Sequence, residues 1–224
     1  MGMGAEIRNR IARRAAQEIK DGMTVNLGIG IPTLVANFIA EDIHVLFHTE
    51  NGILGAGPSP EPGQEDPSLC NAGGFPITVD PGAAYFDSSI AFAIIRRGCL
   101  DITILGALEV SEKGDLANWI VPGKRVPGMG GAMELAQKAK KVIVLMNHVN
   151  KEGESKILKE CRFPLTAKNS VDLIITEMAV MEVTDEGLLL KEVIKPYTVE
   201  EVIAATEARL LIPAVVPTVT EVQG

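Results

Sequence analysis

The apolar run at residues 141–146 places the strongest constraint on the fold of this chain. Its sequence is Lys-Val-Ile-Val-Leu-Met, with no polar side chain after the first position. A strand that is apolar on both faces is typical of a parallel sheet covered by helices on both sides. Strand and helix patterns alternate along the rest of the chain, as in α/β folds. The sequence therefore predicts an α/β fold: a single domain with a mostly parallel, layered sheet flanked by helices.

Hydrophobic periodicity and glycine or proline breaks predict the remaining elements. The predicted helices span residues 7–19, closed by Gly22, and residues 33–38, 87–97, 132–136 and 198–208. The other predicted strands span residues 24–30, 44–48, 101–108, 171–176, 179–184 and 188–190. Residues 51–82, rich in Gly, Pro, Ser and Asp, predict a long loop region, which in a compact domain is usually functional or disordered. Residues 1–224 contain no linker that would split the domain, and residues 213–224 are expected to form a tail or a docking arm.

The charge and the composition exclude several classes of function. The chain has a formal net charge of −8 and only 4% aromatic residues. Such a chain repels DNA, RNA and anionic lipid, so no nucleic acid and no membrane is expected as a partner. Cys70, Cys99 and Cys161 include no Cys-x-x-Cys pair, which argues against a disulfide framework and predicts a cytoplasmic protein. Cys99 lies in an apolar stretch and is expected in the core.

Glu50 is the strongest candidate for a functional residue. It follows the predicted strand at residues 44–48 and precedes a loop broken by Gly52, Gly55 and Gly57. In open α/β sheets, ligands bind where strands end and the backbone becomes irregular. The glycines allow tight turns and a close approach of the backbone to a substrate. A surface glutamate that caps a turn would fit the same run of residues equally well.

The familiar catalytic motifs are missing. His44 and His48, four residues apart on a strand, would lie about 13 Å apart, too far to share one zinc ion, so no metal is expected. The sequence contains no Gly-x-Ser-x-Gly elbow and no phosphate-binding P-loop. The glycine pairs Gly28-x-Gly30 and Gly128-x-Gly130-Gly131 remain as candidate nests of backbone N–H groups for an anion or an oxyanion, or as simple tight turns.

A carboxylate surrounded by such nests suggests nucleophilic chemistry. Glutamate is ionised at neutral pH and needs no separate base to become a nucleophile. Attack of Glu50 on a thioester would give an acyl-glutamyl anhydride. The tetrahedral oxyanion on that path would need backbone donors, each typically worth about 10²–10³ in rate.

A series of short motifs, in order along residues 5 to about 210, resembles family I CoA-transferases. The most specific is His48-Thr49-Glu50-Asn51-Gly52 followed by Gly55-x-Gly57-Pro58. The others are the segments at residues 26–32, 71–73, 115–119, 122–124, 128–133 and 164–166. The chain is similar to the β subunit of a 3-oxoacid or acetoacetate–butyrate CoA-transferase.

The resemblance implies a ping-pong transfer of CoA between an acyl-CoA and a short-chain carboxylate or 3-oxoacid. Glu50 would carry CoA as a glutamyl-CoA thioester, with Asn26 near the reacting carboxylates and Gly130 and Gly131 near the thioester oxygen. Asn51 would shape the turn at Glu50. Coenzyme A would be a substrate, with no other cofactor. The family also implies a partner chain, the α subunit, in an assembly with two copies of each chain.

Two departures from the family pattern bear on the substrate, and two other functions stay open. Thr49 stands where serine is frequent, and Gly74 stands where fused succinate-using members carry a lysine associated with CoA. The loss of that cation favours the two-subunit short-chain enzymes. A sugar-phosphate isomerase could use a glutamate beside a glycine loop as a base. A non-catalytic regulatory subunit would use the glycine loops only as turns.

Overall fold

The computed structural model describes residues 4–123, 126 and 128–219. Its helices are α1 (Ala5–Ala16), α2 (Ser88–Arg96), α3 (Ala132–Lys138) and α4 (Val199–Ala205), with a 3₁₀ helix at Ile31–Phe38. The strands of the first half are β1 (Thr24–Leu27), β2 (Leu46–Thr49), β3 (Ile53–Ala56), β4 (Val79–Tyr85), β5 (Ile102–Gly106), β6 (Glu109–Ser111) and β7 (Leu116–Ala117). Those of the second half are β8 (Lys141–Leu145), β9 (Ile157–Leu158), β10 (Leu173–Ile175), β11 (Ala179–Thr184), β12 (Gly187–Ile194), β13 (Leu210–Leu211) and β14 (Thr218–Val219).

One large sheet organises the described residues. It has eleven strands: ten follow the order β13-β12-β11-β10-β8-β5-β1-β2-β3-β4, and the eleventh, β14, pairs with β12. The central five, from β10 to β2, are all parallel, and antiparallel hairpins extend the sheet on both sides. This arrangement confirms the predicted α/β class and its mostly parallel sheet. It also brings the carboxyl ends of five neighbouring strands to one edge, where ligands bind in such folds.

Both faces of the sheet are covered, as the run at residues 141–146 predicts. Along β8, Val142 and Val144 point into the apolar layer that contains residues of α2 and α3. Ile143 and Leu145 alternate with them and point into the layer that contains residues of α1. All four side chains are at most 1% exposed. Because successive side chains of a strand point to opposite faces, burial on both faces requires the continuous apolar run.

Helix α1 ends earlier than the sequence predicts. The predicted helix includes Ile19 and is closed by Gly22, whereas the observed helix ends at Ala16 with Gln17 as its C-cap. Ile19 is nevertheless buried, because the turn that follows the helix keeps its side chain against the core. Gly22, with a positive φ of 76°, turns the chain into β1 and donates its N–H to the carbonyl of His44. The helical spacing of Ile19 therefore reflected its burial and not its conformation.

Two further predictions on the first half of the chain were wrong in detail. The strand before Glu50 begins at Leu46 instead of residue 44, because residues 43–45 make no strand pairing. The region at residues 51–82, predicted as loop, contains β3 and the first part of β4. Glycines inside these strands hid the pattern. The predicted helix at residues 33–38 is the 3₁₀ helix, with Pro32 in its first turn.

Other predictions from the sequence concerned helix ends, Cys99 and the C-terminal segment. Asp87 caps α2, and Thr198 with Glu201 forms a capping box at the start of α4. Cys99 is exposed, so its predicted place in the core was wrong, since the chain turns at Gly98 immediately before it. In the segment predicted as a tail or docking arm, β14 pairs in parallel with β12. Residues 220–224 of that segment, and Lys124 of the predicted motifs, lie outside the described residues.

The described residues also form a small second sheet, in the order β7-β6-β9, which the sequence did not predict. Its strands have only two or three residues each, too short to show a period. Among the described helices, none is long and apolar enough to cross a membrane.

Candidate functional site

Glu50 lies in the tight turn that joins β2 to β3, at the carboxyl edge of the parallel strands. Gly52, two residues on, has a φ of 114°, and a side chain there would place its Cβ 1.9 Å from the carbonyl oxygen of Phe86. Only glycine fits such a position. The N–H of Gly52 donates to the carbonyl of Thr49, and the N–H of Phe86 donates to the carbonyl of Gly52. Backbone contacts therefore fix the turn that presents Glu50.

The side chains on both sides of Glu50 hold the same turn. The Thr49 hydroxyl accepts the N–H of Ile53 at 3.2 Å. The exposed amide of Asn51 donates to the carbonyl of Cys70 at 2.8 Å, which ties the turn to the loop that precedes β4. The role of Asn51 in shaping the turn stays a prediction, which this contact supports. The hydroxyl of Thr49, which serine would also supply, therefore accepts a hydrogen bond within the turn itself.

The Glu50 carboxylate is held in an environment that disfavours its charge. Burial raises the pKa of Glu50, and the Glu50 backbone N–H and the Asn26 amide oppose that increase only in part. Its Oε2 atom is buried and meets no hydrogen-bond donor among the residues that the structure describes. A buried carboxylate oxygen without a donor is costly for folding and is typical of a functional position.

Gly131 lies directly against Glu50. A Cβ added at Gly131 would lie 3.3 Å from the Cγ atom of Glu50 and 3.2 Å from the Cζ atom of Phe92. The absence of a side chain at Gly131 therefore lets the loop before α3 approach Glu50 closely. Gly130, with a φ of 55°, has open space where its side chain would be. Of the two glycines predicted near the reaction, Gly131 approaches Glu50, whereas a side chain at Gly130 would meet nothing within 4 Å.

Asn26 lies on β1, in register with a polar residue on each neighbouring strand. Its partners in register are His48 on β2 and Thr103 on β5. The three side chains are buried, with Asn26 and Thr103 fully inaccessible. The Nδ2 atom of Asn26 donates to the His48 carbonyl at 3.1 Å, and the Thr103 hydroxyl donates to Asn26 Oδ1 at 3.3 Å. A polar row thus crosses three central strands next to Glu50.

His48 is neutral, with its proton on Nε2. Its Nδ1 atom lies 3.3 Å from the Nδ2 of Asn26, which can only donate, so Nδ1 is the acceptor. Nε2 then carries the proton and donates to the carbonyl of Ala91 on α2 at 3.1 Å. Burial lowers the pKa of His48, and the Ala91 carbonyl opposes that decrease only in part.

The structure thus gathers Glu50, Asn26 and Gly131, and joins Asn51 to the same turn. Sequence reasoning missed Thr103, Phe92 and the contacts of His48, a residue that it rejected as a metal ligand and used only as part of the glutamate motif. A usable signal was present, because Asn26 and Thr103 are polar residues inside apolar strands, and buried polar groups need partners. Among the described residues, no group of three or more His, Cys, Asp or Glu side chains could hold a metal ion.

Comparison with known proteins identifies the family of this chain. The family model described as "Coenzyme A transferase" matches residues 8–205. The β subunit of a probable coenzyme A transferase of Bacillus subtilis is 59% identical over 95% of this chain and 98% of its own length. The corresponding subunit of a probable succinyl-CoA:3-ketoacid coenzyme A transferase of the same species is 55% identical over 91% of this chain and 94% of its own length.

Among solved structures, the apoenzyme of an acyl-CoA transferase from Escherichia coli has the same fold. Its TM-score is 0.77 at 20% sequence identity, and the match covers 98% of this chain and 44% of that one. The family match confirms the resemblance found in the sequence. This chain is an enzyme subunit that belongs to the coenzyme A transferase family.

Proposed function

We propose that this chain transfers CoA by a ping-pong mechanism in which Glu50 is the nucleophile. The observation that carries the proposal is the Glu50 carboxylate at the end of β2, whose Oε2 atom is buried and contacts no donor among the described residues. Such an oxygen keeps its electron pair free for attack on a carbonyl carbon. Burial also raises the pKa of Glu50, which makes the carboxylate more basic and more nucleophilic than an exposed one.

The first half-reaction exchanges CoA onto the enzyme. The Glu50 carboxylate attacks the thioester carbonyl of an acyl-CoA, the C–S bond breaks, and CoA leaves as a thiolate. The product is a mixed anhydride between Glu50 and the acyl group. The thiolate then attacks the Glu50 carbonyl of this anhydride, which gives a glutamyl-CoA thioester and releases the donor as a carboxylate.

The second half-reaction reverses these steps with another acid. The acceptor carboxylate attacks the glutamyl-CoA thioester, and the thiolate that leaves attacks the acceptor carbonyl of the new anhydride. Glu50 returns as a carboxylate and the acceptor leaves as its CoA thioester. Asn26 stabilises the reacting carboxylates, and the N–H groups of Gly130 and Gly131 donate to the oxyanion that forms from the thioester oxygen. No further cofactor enters this balance, since coenzyme A is itself a substrate.

The proposed partner is an α subunit of the same transferase, in an assembly with two copies of each chain. Relatives that are named as one subunit of a transferase support this partner. Large apolar side chains near the site also support it, since Ile29 is 63%, Phe75 55% and Tyr85 59% exposed. Exposed apolar groups that cluster around a site are typical of an interface. The proposed substrates are a short-chain or 3-oxo acyl-CoA and a small carboxylate.

Mass spectrometry of the enzyme, purified with its α subunit, tests the proposal. The complex would be mixed with acetoacetyl-CoA in the absence of an acceptor, and its peptides would be analysed at once. We expect CoA attached to the peptide that contains Glu50, and no such adduct in Glu50→Gln. Glu177→Gln is the matched control, because Glu177 is a glutamate at the carboxyl edge of the sheet whose pKa is likewise raised by burial. An adduct at another residue, or none while CoA binds, would contradict the proposal.

A further inference from the structure

Three buried polar side chains connect the strands beneath the candidate nucleophile. Thr103, Asn26 and His48 lie in register on β5, β1 and β2, and none is more than 1% exposed. Central parallel strands are normally apolar at such positions. Burying three polar groups there costs stability unless each is hydrogen-bonded. The contacts that they make therefore indicate a role other than stability alone.

The hydrogen-bonding partners allow only one orientation of the Asn26 amide. On one side, the His48 carbonyl oxygen can only accept, so the amide nitrogen must face it, at 3.1 Å. On the other side, Oδ1 lies 3.3 Å from the Thr103 hydroxyl, which donates to it. The reversed amide would place two oxygens against each other at His48. The side chain of His48 adds a second acceptor for the amide nitrogen through Nδ1, at 3.3 Å.

We propose that Thr103 and His48 are positioning residues, which hold the Asn26 amide so that an N–H is directed at the Glu50 carboxylate. This inference rests on the proposed function of Glu50. Asn26 Nδ2 lies 3.1 Å from the His48 carbonyl oxygen and 3.3 Å from His48 Nδ1, two acceptors that one N–H can share, and we assign the other N–H to Glu50. His48 is itself anchored, because its Nε2–H donates to the carbonyl of Ala91 on α2.

This arrangement matters when Glu50 changes charge. The carboxylate loses its negative charge when it becomes an anhydride or a thioester, and regains it at the end of each cycle. A fixed donor stabilises the charged form without having to reorient, which is the advantage of a preorganised site. The direction of one pKa effect agrees with this role. The Asn26 amide lowers the pKa of Glu50, whereas burial raises it.

The other described side chains around Glu50 do not stabilise the charge of its carboxylate. His48 on β2 is neutral and engaged as described. Arg96 on α2 and Glu134 on α3 form an ion pair at 2.8 Å, so their charges largely cancel. Phe92, which lies beside Gly131 and Glu50, carries no charge. Among the described residues, Asn26 is the side chain from another element that lowers the pKa of Glu50.

The test compares Thr103→Val and Thr103→Ser in the enzyme assembled with its α subunit. Valine has the shape of threonine but cannot donate to Asn26 Oδ1, whereas serine keeps the hydroxyl. Thr176→Val is the matched control: Thr176 is also fully buried at the end of a parallel strand, and its hydroxyl serves His148 instead of Asn26. Two measurements are made on each variant, kcat and KM for CoA transfer, and the pH dependence of Glu50 labelling by a carbodiimide.

We expect Thr103→Val to lower kcat about five- to tenfold, as for the loss of one buried hydrogen bond, with KM within about twofold of the parent. Thr103→Ser should restore most of kcat. The midpoint of Glu50 labelling should move to higher pH in Thr103→Val alone, because a less firmly held amide stabilises the carboxylate less. Thr176→Val should lose stability while kcat and the labelling midpoint stay unchanged.

A second pair of variants keeps the test decisive if Thr103→Val does not fold. His48→Asn retains an acceptor where Nδ1 faces Asn26, and His48→Gln retains a donor where Nε2 faces Ala91. We expect His48→Asn to keep more activity than His48→Gln. Equal kcat in both, or a kcat of Thr103→Val equal to that of Thr176→Val, would overturn the inference.

The labelling measurement separates this inference from the proposed function. If the parent enzyme forms no CoA adduct at Glu50, the proposed function fails, yet labelling still reports whether Thr103 affects Glu50. A labelling midpoint that is the same in Thr103→Val and the parent would overturn the positioning role. If the adduct forms and Thr103→Val changes neither kcat nor labelling, the proposed function stands and the inference is wrong.

Discussion

The carboxyl edge of the sheet carries two clusters of similar composition. They differ in how completely their polar groups are hydrogen-bonded. One contains Glu50 and His48 at the end of β2. The other contains His148, which follows β8, and Glu177, which follows β10. In both, a buried histidine contacts a threonine or asparagine side chain, and burial raises the pKa of the glutamate. The shared composition makes the difference between them informative.

The second cluster satisfies the polar groups of its histidine and its glutamate. The two ring nitrogens of His148 contact the hydroxyls of Thr176 and Thr206 at 3.0 and 2.8 Å. The N–H of His148 lies 3.0 Å from one oxygen of Glu177 and 3.3 Å from the other. The charges of Lys156 and Arg10 also stabilise the Glu177 carboxylate. At Glu50, by contrast, one oxygen meets no donor among the described residues. A satisfied cluster supports the fold, whereas an unsatisfied one is available for chemistry.

The largest expected effect comes from removing the carboxylate charge in each cluster. Glu50→Gln should lower CoA transfer at least about a thousandfold, because an amide is a poor nucleophile. Glu177→Gln should leave kcat within about threefold, as for a substitution away from the reacting atoms. Steady-state kinetics of the assembled enzyme, with circular dichroism to confirm folding, measure both. Comparable losses in the two variants would remove the functional distinction between the clusters.

A substitution in the turn at Glu50 should have the next largest effect. Gly52→Ala should destabilise the protein by about 3 kcal/mol, because alanine is strained at positive φ and its Cβ would collide with the Phe86 carbonyl. Gly74→Ala is the matched control: its φ is 76°, but the space beside it is open. That change should cost about 1 kcal/mol. Urea unfolding measures both free energies. If Gly52→Ala were as stable as Gly74→Ala, the turn would be less constrained than its contacts indicate.

The second cluster should determine part of the pH dependence of stability. Burial lowers the pKa of His148 from 6.5 to about 4. As pH falls below 6.5, the unfolded chain gains a proton at this residue while the folded chain does not. The free energy of unfolding should therefore fall, by up to about 3 kcal/mol, until the pH reaches the folded pKa near 4.

His148→Gln isolates that contribution. The variant lacks a group that titrates in this range, so its stability should fall less between pH 6.5 and 4.5. Glu177, whose raised pKa acts in the opposite direction, is present in both proteins. Denaturant unfolding at several pH values gives the difference between the two curves. Parallel curves would show that His148 is protonated in the folded state at these pH values.

The sequence predicted those parts of the molecule that have a local cause. The run at residues 141–146 predicted a strand buried on both faces, and β8 has that burial. The spacing of Thr198 and Glu201 predicted the capping box of α4. Glu50 was placed at a strand end because its neighbours change from apolar residues to glycine. Each of these features depends on a few consecutive residues.

The missed features depend on contacts between distant segments. Strands β3 and β4 are interrupted by Gly55 and Gly82, whose positive φ values occur at irregular pairings that no local pattern encodes. The row of Thr103, Asn26 and His48 exists only because β5, β1 and β2 pair in one register. Strand order and register are set by the assembled core. Sequence reasoning could flag buried polar residues, but not which of them meet.

The smallest expected effect concerns the side-chain tethers of the two regions. Asn51 donates to the Cys70 carbonyl at 2.8 Å beside Glu50, and Asn150 accepts the N–H groups of Glu152 and Glu154 near His148. Each variant to alanine should cost about 1 kcal/mol of stability, as for the loss of exposed hydrogen bonds. Only Asn51→Ala should also lower kcat/KM, by about two- to fivefold, since it loosens the turn that presents Glu50. Thermal unfolding and steady-state kinetics separate the two effects. A loss of more than a hundredfold in Asn51→Ala would mean that Asn51 contacts the substrate itself, and an equal loss in Asn150→Ala would mean that both clusters support turnover.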